Sequence, residues 1–136
     1  MKTMKKNAML KKMVKITAVL MLALAGTAMA DQPGEEILRR SDMLINTESD
    51  FLQSVYWEGM RHWQEGNPVQ ALRDLDYAAW QGSIAAAQRL CVMDAYGIGT
   101  EQNAPKAMFW CDKAEAAGHD LASVRSYLQN YWVATQ

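Results

Sequence analysis

Histidine and cysteine are scarce in this 136-residue chain, two of each, and they form no motif. There is no Cys-x-x-Cys, and His62 and His119 stand far apart, so neither a dithiol relay nor a metal centre finds its usual ligand spacing. Serine and threonine are scattered without a nucleophile motif. Asp74 and Asp76, two residues apart, fall on different sides of a helix and make no carboxylate pair. No set of base, nucleophile and oxyanion donor can be assembled, so the chain is expected not to be an enzyme and to use no cofactor and no metal. Strand-like alternation is missing, which argues against a sheet. After residue 30 no apolar run is long enough to cross a bilayer.

The N-terminus carries the one apolar run of note. Lys2, Lys5, Lys6, Lys11, Lys12 and Lys15 give a basic head, Ile16–Gly26 is apolar, and Ala28 and Ala30 offer small residues to a signal peptidase. Residues 1–30 therefore read as a secretory signal cleaved near Ala30. Thr27 stands where a lipoprotein signal would have its cysteine, so no membrane anchor is expected after cleavage. The expected location is the periplasm of a Gram-negative bacterium, or outside the cell. The signal takes six of the fourteen basic residues and none of the fifteen acidic ones. What remains counts eight basic against fifteen acidic residues, a formal charge of −7. That balance disfavours nucleic acid and anionic lipid as partners.

The remaining 106 residues suffice for one small domain. Residues 31–50 read as a polar, mobile lead and a short helix, and residues 51–136 as the main domain. Alanine is abundant and the few Gly and Pro residues sit at helix ends, giving helices at about 35–46, 50–65, 68–81, 83–96, 104–117 and 119–133. A shift of 36 residues then lays Ala71 on Ala107, Leu72 on Met108, Ala78 on Ala114, Gly82 on Gly118 and Ala86 on Ala122. Two helices per unit imply stacked helical hairpins, an all-α short right-handed solenoid with a C-terminal capping helix. The "YGIGTEQNAPKA" stretch (96–107) is then a connection and not a phosphate loop. A helix period precedes it, position 102 is Gln where a third Gly would be needed, and Asn103 and Pro105 suit a helix start.

Ala86, Leu90, Gly97, Gly99, Lys106, Ala107, Trp110, Lys113, Ala114, Gly118 and Ala122 together resemble the Sel-one-like repeat, a relative of the tetratricopeptide repeat. The chain departs from that pattern at Cys91, Asp94, Thr100, Asn103, Cys111 and Glu115. Residues 52–85 resemble a looser preceding unit with Gly59 at its helix Gly, and the last helix resembles a half unit. The resemblance implies a scaffold that holds another protein.

Cys91 and Cys111 lie on the two helices of the best-matched hairpin, nearly equidistant from its loop, which places them level and facing. A structural disulfide is expected in an exported chain; two buried thiols, or redox or metal chemistry, are the alternatives.

All twelve aromatic residues follow residue 30. Trp110 matches the repeat and reads as packing, His62 as solvated, and His119 as packing on its turn or satisfying backbone groups. On helix 50–65, Trp57 and Arg61 lie beside the apolar stripe, and Arg89 occupies Trp57's equivalent one unit later. These three are the expected partner contacts. The function expected is binding of another protein as adaptor or regulator of an envelope complex. Neutralisation of a periplasm-acting toxin enzyme as its immunity protein is the alternative, and an envelope hydrolase or its accessory subunit is the third reading.

Overall fold

A computed structural model describes residues 33–136, and these are all-helical. The expected signal segment, residues 1–30, and its expected cleavage site lie outside the described residues. Six helices follow in order: α1 (Pro33–Leu44), α2 (Asp50–Gln64), α3 (Pro68–Trp80), α4 (Ile84–Tyr96), α5 (Ala104–Ala116) and α6 (Ala122–Thr135), with a 3-10 turn at Ile45–Thr47.

The helix starts are written into the chain. Ser49, Asn67, Ser83 and Asn103 each accept a hydrogen bond from the backbone N–H three residues on, satisfying donors that a helix start leaves free. Pro68 and Pro105 sit in first turns, where a missing N–H costs nothing. The last helix begins at Ala122 instead of near 119: Leu121 is buried, and Asp120 Oδ1 accepts from the Ala122 N–H at 3.0 Å.

α4 is the centre of the molecule. Every residue from Ala85 to Ala95 is buried, because α1, α3, α5 and α6 all pack around it. α2 pairs with α3, and α4 with α5. Close approach in the first pair depends on Gly59, where a Cβ would meet Asp74 Cβ at 3.1 Å and the Ala71 carbonyl oxygen at 3.2 Å. The second pair runs antiparallel: Cys91 is joined to Cys111 by a disulfide with Cα atoms 4.9 Å apart, and Asn103 N–H donates to the Asp94 carbonyl at 2.9 Å.

The sequence reads a mobile lead before a helix at about 35, and α1 starts at Pro33. Gly34 is buried, and a Cβ there would meet Val92 and Tyr96 at 3.1 Å. α1 lies along α4, held by Gln88, whose Nε2 donates to the Ile37 carbonyl and to Ser41 Oγ, both at 3.1 Å. Its apolar side, with Ile37 fully buried, gives this helix a place in the core that its polar start conceals.

The α4–α5 turn rests on the turn of the preceding pair. Gly99 has φ +72°, and a Cβ there would collide with the Trp63 ring and lie 3.3 Å from Pro68 Cβ. Gly99→Ala is expected to destabilise by about 2 kcal/mol, combining left-handed strain with displacement of Trp63. Gly82→Ala serves as the reference, since its φ is also positive but its added methyl meets nothing within 4 Å. Urea unfolding of both variants checks this; equal losses would refute the contribution of the Trp63 contact.

Candidate functional site

α3 has two apolar stripes on opposite sides. Ala71, Leu75 and Ala78 face the core, while Val69, Tyr77 and Trp80 are exposed. A helix with one stripe needs one partner, and a helix with two needs a second. The outer stripe continues onto its neighbours. Phe51, at the start of α2, meets Tyr77 edge to face with centroids 6.3 Å apart. Trp80 lies 5.3 Å from Phe109 and 5.3 Å from Trp110 of α5. Trp110 is buried beneath them, whereas Trp80 remains 66% exposed. Phe51, Tyr77, Trp80 and Phe109 thus form one exposed aromatic face across three helices. Exposed, clustered aromatic side chains are enriched at interaction sites, which makes this face the candidate.

Sequence reasoning missed this face. The signal was present in the spacing of Val69, Arg73, Tyr77 and Trp80, which share one helix side opposite the alanines.

The residues expected as partner contacts do not form one surface. Trp57 is 42% exposed and stands edge to face against Tyr56 at 5.2 Å. Arg61 is exposed but held by Glu58 and Glu65, and its hydrogen bonds keep the Glu58 carboxyl below the ordinary value. Arg89 is buried, 7% exposed, which corrects its assignment to an open face. α1 covers it: Arg89 Nη2 lies 3.6 Å from Asp42 Oδ1, its Nε donates to Met60 Sδ, and its guanidinium sits 5.8 Å from the Tyr56 ring centroid. Tyr56 donates to Asp42 Oδ1 at 2.6 Å, and burial pushes its hydroxyl well above the ordinary pKa, so it stays a donor. These groups fasten α1 to the core.

Two other polar clusters occur. His62, read from sequence as solvated, is half-buried, with Nδ1 2.6 Å from Asp74 Oδ2 across the α2–α3 pair. Asp74 also accepts from Gln70 Nε2 at 3.0 Å. Among the described residues no Ser, Thr or Cys joins this pair by a hydrogen bond. His119 stands at the turn before α6, its backbone N–H donating to the Ala114 carbonyl at 3.2 Å. The second cluster lies inside. Asp94 of α4 is 1% exposed, with Oδ2 3.8 Å from Lys106 Nζ, which is in turn 3.3 Å from Asp76 Oδ2. Asp94 Oδ2 and Asp76 Oδ1 are buried without a hydrogen-bond partner. Burial pushes the Asp94 carboxyl up to about 6, with Lys106 opposing and Asp76 adding to the shift.

No group of three or more His, Cys, Asp or Glu among the described residues is placed to hold a metal ion. No helix among them is long and apolar enough to cross a membrane. A second apolar surface, a groove of about 380 Å³ between α5 and α6, is lined by Met108, Leu128 and Trp132 and has no charged group in its wall. The aromatic face is the better candidate because charged anchors accompany its rings: Lys113 Nζ lies 5.5 Å from the Phe109 centroid. No protein-family model, no curated protein and no solved structure matches this chain.

Proposed function

We propose that this chain is an exported helical-repeat protein that binds another protein through the face formed by Phe51, Tyr77, Trp80 and Phe109. The observation that carries the reading is the exposure of these rings, contiguous across α2, α3 and α5, in a domain that buries Trp110 directly beneath them. The two helix pairs are read as consecutive Sel-one-like hairpins of a short right-handed solenoid, with α6 as its cap. A buried disulfide suits an exported chain, and the role that fits an exported scaffold best is adaptor or regulator of an envelope complex.

The face is tested by purifying the tagged chain from its native envelope as wild type and as Tyr77→Ser/Phe109→Ser. Both positions are exposed, so the double variant is expected to keep its helical circular dichroism and lose the co-purifying partner. A variant that retains the same partner at the same yield would refute this face. Loss of the partner on Trp57→Ala but not on the double variant would move the interface to α2.

A further inference from the structure

We infer that the segment docking on the aromatic face carries carboxylates among its apolar side chains. This rests on the reading of that face as a protein interface. The described residues hold eight Lys and Arg against fourteen Asp and Glu, so cations should find partners easily. Most do. Arg39, Arg61, Arg89, Lys106 and Arg125 pair with carboxylates, and Arg40 donates to the Asp120 carbonyl. Among the described residues three cations have no carboxylate partner: Arg40, which rests on that backbone carbonyl, and Arg73 and Lys113. The last two stand on the aromatic face: Arg73 is one turn before Tyr77 on the exposed side of α3, and Lys113 lies over the Phe109 ring.

The carboxylates nearest in sequence are engaged elsewhere. Asp74 is held by His62 and Gln70, Asp76 by Lys106, and Asp112 and Glu115 by Arg125. An acidic molecule thus keeps two cations beside these rings, with the acids nearest to them in sequence engaged by other groups. Exposed cations bracketing apolar rings set register and speed the encounter with a complementary partner. A basic or uncharged segment would leave both unanswered. An anionic membrane would answer them too, but the acidic excess of the described residues, eight basic against fourteen acidic, opposes approach to such a surface.

The experiment places a photo-activated phenylalanine cross-linker at position 77 of the full chain in its native cell, and the cross-linked segment is sequenced by mass spectrometry. The expected segment holds at least about two Asp or Glu residues interleaved with apolar ones. In the Arg73→Glu/Lys113→Glu background its yield falls by at least about tenfold, while Arg39→Glu, away from this face, leaves it unchanged. A cross-link to a basic or uncharged segment, or a yield indifferent to the double reversal, overturns the charge inference and leaves the interface standing. No cross-link at position 77 overturns the interface and this inference together. Sedimentation of the purified protein with phosphatidylglycerol vesicles, abolished by the same reversal, would assign the face to a lipid surface and overturn the acidic-protein partner.

Discussion

Reducing the Cys91–Cys111 bond is expected to cost about 3 kcal/mol of stability, a large share of what a domain of this size has. The bond closes a loop of twenty residues and joins the two helices whose packing forms the centre of the fold. With the bond cut, the unfolded chain regains the freedom that the loop denied it, while the native state keeps its other contacts. The melting temperature should fall by at least about 12 °C in reductant. Both cysteines are fully buried, so alkylation of the thiols should follow global unfolding and not precede it. A Cys91→Ala/Cys111→Ala variant would lose sulfur packing as well, so the oxidised and reduced wild type make the cleaner comparison. A reduced protein melting within about 3 °C of the oxidised one would show that the loop is already constrained in the unfolded state.

Most of the helical framework was legible because its signals are local. Ser83 and Asn103 mark starts, Gly97 takes φ +68° at the end of α4, and the predicted boundaries fall within three residues of those observed. The level placement of the two cysteines also followed from loop length alone, since an antiparallel pair equates distances from its turn.

The misread residues share one cause, a partner distant in sequence. Arg89 looks like a surface arginine until α1, fifty residues earlier, lays Asp42 and Leu38 over it. No periodicity within α4 could announce that, because the helix is buried nearly all round and has no exposed face to contrast with the core. His62 looks solvated until Asp74 arrives from the next helix. The aromatic face failed differently. Its α3 stripe was readable, but joining Phe51 and Phe109 to it required knowing that the start of α2 lies beside Tyr77 and the middle of α5 beside Trp80.

Asp94→Asn is expected to stabilise the protein at neutral pH, by up to about 3 kcal/mol, although it deletes one partner of an ion pair. The wild-type carboxyl is buried among apolar neighbours on α4, its Oδ2 unbonded, and Lys106 at 3.8 Å compensates only in part. Lys106 is shared with Asp76, which lies closer at 3.3 Å and stays behind to hold it when Asp94 is replaced. The sign follows from proton binding. In the unfolded chain Asp94 gives up its proton near the ordinary value of 3.8, whereas the folded protein holds it until about pH 6. Between these values the folded state binds more protons, so wild-type stability falls as pH rises from about 4 to about 6 and is level above. Asparagine keeps the shape of the neutral carboxyl and cannot ionise, so that fall disappears. The two proteins should melt together at pH 4 and diverge through pH 5 and 6, with the variant the more stable at pH 7.5. Thermal or urea unfolding of both across that range measures it. A wild type that remains the more stable at pH 7.5 would mean that Lys106 holds Asp94 ionised at a net gain. A difference independent of pH would mean that the substitution acts through packing and not through charge.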